Sequence, residues 1–218
     1  MLIRRSVFVV LLLLCAGWPA VAVGQTMPFP DPSHCSGSDR FVVCPAGDVR
    51  YDVIVRDQYW VPCPGIGVWV DFSGCAGLRL CPACCAGATI DPVARTAYAV
   101  TDALGAVSFS LGMGGVCNGS LVSVYLGSYP GSVTPGILLS RSAVSSTDQD
   151  GDLDVDATDV AAVAAAMGTV DWGADFNGDG IVSQGDLDWL TSHHVGHACV
   201  GVVGARTSSW GGLKLLYR

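Results

Sequence analysis

The chain has 218 residues and a formal charge of −8, with nineteen acids that are all Asp set against eleven cations, one of them Lys. Acidity of this kind without a basic patch excludes nucleic acid as a partner. The length has room for one ordinary domain and a small one, and ten cysteines point to an oxidising compartment.

Residues 1–24 carry Arg4 and Arg5, the apolar run Val7 to Cys15 and the small-residue end Ala20-Val21-Ala22-Val23-Gly24. That order predicts a secretory signal peptide cut after Ala22 or Gly24. Its apolar run is shorter than the ~20 residues a span needs, and Pro19 breaks the stretch beyond it, so no membrane span is expected after cleavage. The product is expected to be secreted, extracellular or bound at a bacterial cell surface. Loss of Arg4 and Arg5 takes the charge from −8 to −10. Cys35, Cys44, Cys63, Cys75, Cys81, Cys84, Cys85, Cys117 and Cys199 remain. In an exported chain most of these form disulfides, and the odd number leaves at least one thiol.

Residues 25–48 are rich in Pro, Ser and Gly and read as an irregular leading segment tied down by Cys35 and Cys44. From Val49 short runs alternate: Tyr51, Val53 and Val55, then Val68, Val70 and Phe72. Thr96 to Val100, Ala106 to Leu111 and Leu121 to Leu126 come next, with the Gly-rich Gly112 to Gly119 as a turn. Ile137-Leu138-Leu139 is a last strand before a Ser-rich connector. Short strands punctuated by Gly and Pro predict an antiparallel β-sandwich over residues 49–144, with the boundary near Val144 to Thr147.

Three pieces of this region, Tyr51-Asp52-Val53, Gly67-Val68-Trp69-Val70 and Thr101-Asp102-Ala103-Leu104-Gly105-Ala106-Val107-Ser108-Phe109, resemble the bacterial immunoglobulin-like repeats of the invasin and intimin type. The resemblance implies an Ig-like sandwich acting as a spacer or ligand module. The insert Cys75 to Cys85 departs from the repeat pattern.

Residues 148–188 hold eleven Asp and no Lys or Arg. Carboxylates packed this closely repel one another unless a cation neutralises them, and Ca²⁺ takes hard oxygen ligands. Two twelve-residue loops align. The second offers Asp175, Asn177, Asp179, the carbonyl of Ile181, Ser183 and Asp186, with Gly180 at the sixth position, where the chain turns sharply. The first offers Asp148, Asp150, Asp152, the carbonyl of Asp154, Asp156 and Asp159, but has Leu153 at that turn. A β-carbon is penalised at positive φ, so the first loop is expected to be the weaker or more distorted of two calcium sites. One helix should follow each loop, the first from about Thr158 to a cap at Gly168, the second beginning at Asp186, Leu187, Trp189 and Leu190.

Both loops end in Asp rather than Glu, and no helix leads into the first. The matching residues, Asp175-x-Asn177-Gly178-Asp179-Gly180-x-Val182-x-x-x-Asp186-Leu187 and Asp148-x-Asp150-Gly151-Asp152-x-x-Val155-x-x-x-Asp159-Val160, resemble the dockerin type I module, covering residues 145–200. The resemblance implies calcium-dependent docking to a cohesin-type domain, with partner choice set by loop positions ten and eleven, here Ala157, Thr158, Gln184 and Gly185. The expected fold class is therefore mainly β with a small α module.

Three histidines, His193, His194 and His197, stand near Cys199, but no matching ligand pair is evident elsewhere, and they read as solvated residues closing the last helix. Cys81, Cys84 and Cys85 read as disulfide partners rather than half a zinc site. Asn118-Gly119-Ser120 is a glycosylation sequon by pattern. No positioned acid and base, nucleophile pair or phosphate loop is evident, so a non-catalytic protein is expected. Two functional classes are open. One is calcium-dependent assembly. The other is an accessory carbohydrate-binding or adhesion protein, with purely structural calcium loops and with Trp60 and Trp69 stacking on an extracellular glycan. Residues 201–218 form a tail of undecided role.

Overall fold

The computed structural model describes residues 29–38, 40–81, 85, 87–117, 120–128 and 136–200. The predicted signal peptide, the tail from residue 201, Cys84 and the first two residues of the sequon lie outside these. The described chain is mainly β with a small α module, as predicted.

The strands are β1 (Ser36–Gly37), β2 (Phe41–Val43), β3 (Arg50–Ile54), β4 (Gly67–Asp71), β5 (Arg79–Leu80), β6 (Thr89–Asp91), β7 (Thr96–Val100), β8 (Ala106–Ser110), β9 (Met113–Gly114), β10 (Val122–Leu126), β11 (Ile137–Ser142) and β12 (Val144–Ser146). The helices are α1 (Ala157–Ala165) and α2 (Gln184–His193). An antiparallel sheet runs β11-β10-β4-β7-β6, and a second runs β1-β3-β8.

The period-two pattern of each strand decides which face is covered. Tyr51 and Val53 of β3 point inward, as do Val68 and Val70 of β4 and Val122, Val124 and Leu126 of β10, and all join one core with Phe41, Phe72 and Phe109. Each fully buried Val or Leu contributes roughly 1.5–3 kcal/mol relative to exposure. Outward on the larger sheet, Trp69 stands in register with Tyr98 on one side and Tyr125 on the other.

The leading segment is more ordered than its composition predicts. Strand β2 pairs in parallel with β12, Phe41 opposite Val144 and Val43 opposite Ser146. Where a Ser-rich connector is expected, β12 is buried at every residue. Parallel pairing lets two strands about a hundred residues apart in sequence seal one seam, satisfying backbone groups that would otherwise be buried unpaired. The alternation of β2 serves two cores: Phe41 and Val43 enter the sandwich core, while Val42 and Cys44 face a second core of Val155, Val163, Ala174, Phe176, Val182 and Leu190. This short strand is thus a shared wall between sandwich and acidic module.

The Gly-rich stretch read as a turn contains β9, paired with β5. Gly114 has no side chain because a Cβ there would collide with the Asp148 carboxylate, and Gly115 N–H donates to the Asp148 carbonyl at 2.8 Å. The first acidic loop is docked onto the sandwich through this glycine pair.

Two disulfides join described residues, Cys75 with Cys117 and Cys81 with Cys199. Cys85 is disulfide-bonded as well. Cys35, Cys44 and Cys63 are free thiols, so the expectation that Cys35 and Cys44 tie down the leading segment as disulfides is corrected. Backbone pairing holds that segment instead.

Candidate functional site

The two acidic loops share one hydrogen-bond frame. The first-position carboxylate accepts from the backbone N–H at positions four and six: Asp148 from Gly151 (2.6 Å) and Leu153 (2.9 Å), Asp175 from Gly178 (2.8 Å) and Gly180 (2.9 Å). The third position accepts from the fifth, Asp150 from Asp152 and Asn177 from Asp179. The fifth accepts from the seventh, Asp152 from Asp154 and Asp179 from Ile181, each at 3.0 Å. The twelfth reaches back to positions two, three and nine: Asp159 to Gln149, Asp150 and Asp156, Asp186 to Phe176, Asn177 and Ser183.

Each twelfth-position Asp also starts a helix. Asp156 caps α1 and Ser183 caps α2, and in both a reciprocal capping box is closed by the residue three further on, Asp159 or Asp186. The carboxylate that would hold an ion therefore also satisfies the first orphan donors of the helix. Helix α1 stops at a cap on Ala166, short of the expected Gly168, which lies beyond it at φ +81°. Helix α2 begins two residues before Asp186.

The loops exchange backbone bonds crosswise. Val155, at the eighth position of the first loop, donates to the His197 carbonyl and accepts from Gly196, each at 2.8 Å, beyond α2. Val182, its counterpart, donates to Thr169 and accepts from Gly168, each at 2.8 Å, beyond α1. Each loop is thus locked by the segment that leaves the other's helix, which gives the module a pseudo-twofold arrangement.

Leu153 takes φ +72° where Gly180 takes +92°. The first loop keeps the turn despite its side chain, at a conformational cost of about 1–2 kcal/mol. The hydrogen bonds of Asp148 and Asp159 hold it there, and the distortion expected at this loop is absent from its hydrogen-bond frame.

Electrostatics separate the two loops. In the first, the carboxylates of Asp148, Asp150 and Asp152 converge within 4.8 Å, as do those of Asp154, Asp156 and Asp159. No described Lys, Arg or His pairs with Asp148, Asp150, Asp152 or Asp159. Burial, then the charges of Asp159 and Asp150, push Asp148 up to about 6 against the pull of its backbone donors. Burial also raises Asp159. In the second loop burial pushes Asp186 up, but the Ser183, Asn177 and Phe176 donors outweigh it and hold the carboxyl below its ordinary value. Here a cation is already present: Arg40 Nη2 lies 2.8 Å from Asp175 Oδ2, and Nη1 donates to the Asp175 carbonyl.

The side-chain donor set in both loops is oxygen throughout, and in the first loop the carboxylates gather in two groups of three. This fits a hard divalent cation, Ca²⁺ above all. Positions ten and eleven, Ala157 and Thr158, Gln184 and Gly185, are all exposed on the first turns of the two helices.

Sequence reasoning did not find Arg40, whose partner lies 135 residues away. Of the three histidines expected to be solvated, His193 is exposed at the end of α2 and His197 is part-exposed, but His194 is not. His194 is buried at 6% exposure under Trp189, with ring centroids 4.3 Å apart, and faces Asp48. Cys199 is not beside them as a ligand, being bonded to Cys81. Burial pushes the Cys44 thiol up to about 12, so it stays protonated at neutral pH.

Compared with known proteins, the chain matches no family model, no curated protein and no solved structure.

Proposed function

We propose that this is an exported, non-catalytic protein that binds Ca²⁺ through two dockerin-like loops and uses them for calcium-dependent assembly with a cohesin-type partner, the Ig-like sandwich serving as spacer or ligand module. The observation that carries this reading is the shared loop frame. Both loops repeat the same acceptors at positions one, three, five and twelve, the same positive φ at position six and the same capping box, in loops whose other residues differ. Two copies of so specific a geometry, one with buried carboxylates that no described side-chain cation neutralises, are what a divalent ion requires. The exposed Ala157, Thr158, Gln184 and Gly185 lie where a partner would read each helix start.

Calorimetry of the full secreted chain with Ca²⁺ tests this, with Asp148→Ala and Asp186→Ala each expected to remove one site. No heat and no gain of helix on adding calcium would sink the reading. Capture by cohesin domains that a chelator fails to abolish would count against docking.

One observation supports the second reading, glycan binding. Tyr98, Trp69 and Tyr125 form a row across three neighbouring strands on the outward face of the larger sheet. The Trp69 and Tyr98 rings lie 4.3 Å apart, and Trp69 Nε1 donates to the Gly127 carbonyl at 3.1 Å. Trp60, 59% exposed, stacks on His34 at 4.4 Å. Aromatic rows of this kind offer stacking area at little entropic cost. Retardation on polysaccharide-containing gels that is lost in Trp69→Ala would favour this reading.

A further inference from the structure

The calcium loops leave one cluster of ligating groups unexplained. At the far end of the shared wall, Cys44 follows β2 and Asp48 sits four residues on, past a turn closed by Gly47 N–H to the Cys44 carbonyl. His194 caps the end of α2, and His197 follows in a turn whose N–H donates to the His194 carbonyl. The ligand atoms of these four residues all lie within 4.8 Å of one another.

The four groups converge on one small volume, with Asp48 at ion-pair distance from both imidazoles. Asp48 Oδ2 stands 3.5 Å from His194 Nδ1 and 2.8 Å from His197 Nδ1, yet neither ring nitrogen has an aligned hydrogen-bond partner, and both are buried atoms. His194 is 6% exposed and Cys44 fully buried. A buried imidazole nitrogen that faces a carboxylate without an aligned hydrogen bond is poorly satisfied, and a metal ion between the two groups would take a lone pair from each. Trp189 packs against the His194 ring at a tilt of 42° and restricts its orientation.

We propose that Cys44, Asp48, His194 and His197 form a structural zinc site that fastens the shared wall to the end of the last helix. One thiolate, two imidazoles and one carboxylate make a four-ligand N/S/O set suited to tetrahedral Zn²⁺ and unsuited to Ca²⁺, which takes oxygen alone. On binding, the Cys44 thiol gives its proton to solvent, and sulfur, two nitrogens and one oxygen each donate a lone pair to the metal. All four positions are supplied by protein, the mark of a structural rather than a catalytic zinc. The His197 carbonyl accepts from Val155 of the first acidic loop, so the metal also braces that loop. Zinc binding here does not require that the acidic loops hold calcium.

The test uses the full secreted chain with its disulfides intact, stripped of metal in anaerobic buffer and kept in saturating Ca²⁺. Titration with Co²⁺ should give one equivalent bound, with intense tetrahedral visible bands and a thiolate-to-cobalt charge-transfer band, all bleached by one equivalent of Zn²⁺. The same spectrum should persist in Asp186→Ala, which separates this site from the calcium loops. Cys44→Ser should lose the charge-transfer band. Because Cys44 lies in a core, His197→Gln, at a half-exposed position, is the second variant, and it should weaken zinc binding on the order of 100-fold with unchanged circular dichroism. Weak octahedral cobalt bands, a charge-transfer band that survives Cys44→Ser, or wild-type zinc affinity in His197→Gln would each overturn the proposal.

Discussion

Arg40 Nη2 lies 2.8 Å from Asp175 Oδ2, so the carboxylate that opens the second acidic loop already has a cation supplied by the leading segment. Among the described residues no such partner stands at Asp148 in the first loop. Two loops with one backbone frame therefore differ in charge: one is a concentrated negative centre, the other is partly neutralised before any ion arrives.

Replacing Arg40 by Gln should raise calcium affinity at the second loop by about tenfold at low ionic strength, since a unit positive charge beside the first ligand opposes a divalent ion. The gain should shrink as salt is added. Site-resolved titration of Arg40→Gln in an Asp148→Ala background measures it, and a fall in affinity would show that Arg40 orients Asp175 for the ion instead of competing with it.

The pH dependence of the calcium-free protein should run opposite to ordinary acid denaturation over part of the acid range. Asp148 is raised from 3.8 to about 6 by burial and by Asp159 and Asp150, so between those values the folded state binds more protons than the unfolded one. Its contribution to stability is therefore lost as pH rises from about 4 to 6. Calcium-free melting temperature is expected to be higher at pH 5 than at pH 7. With saturating Ca²⁺ the trend should reverse, because the ion competes with the proton. Asp148→Asn should flatten the calcium-free trend.

The sixth loop position offers a matched pair of substitutions. Gly180→Ala, at φ +92°, should destabilise the second loop by about 1–2 kcal/mol. Leu153→Asn, at φ +72°, should strengthen the first, because Asn tolerates the left-handed region. Calcium affinities of both variants, measured by calorimetry, provide the check. A loss in Leu153→Asn would mean that the half-buried leucine side chain contributes more by packing than its backbone costs.

How much of this was legible in the sequence depends on the range over which each signal acts. The strands around Tyr51, Val68, Thr96, Ala106 and Val122 announce themselves because alternation over five residues is a local pattern, and both acidic loops because ligand spacing is local too. Strand β2 carries three apolar residues between Pro-rich and Ser-rich neighbours, too few for any period, and its role comes from pairing with Val144 to Ser146. The Cys44, Asp48, His194 and His197 cluster is divided between two short segments 146 residues apart at their nearest residues. Each half alone has too few ligands to read as a site. Leu153 shows the opposite limit: its local preference argues against a turn that the hydrogen bonds of Asp148 and Asp159 impose regardless.

The Cys81 to Cys199 disulfide joins the sandwich to the last described turn of the acidic module, across 118 residues of sequence. Tension applied to the chain beyond residue 199 passes through that covalent bond into β5 and its partner β9, and does not have to run through the acidic loops or their helices. The module is thereby shielded in the mechanical sense. A partner gripping the helix starts at Ala157 and Gln184 would hold a small fold that cannot be unravelled from its C-terminal side while the bridge stays oxidised. Reduction would turn the same pull into an unzipping force on α2 first.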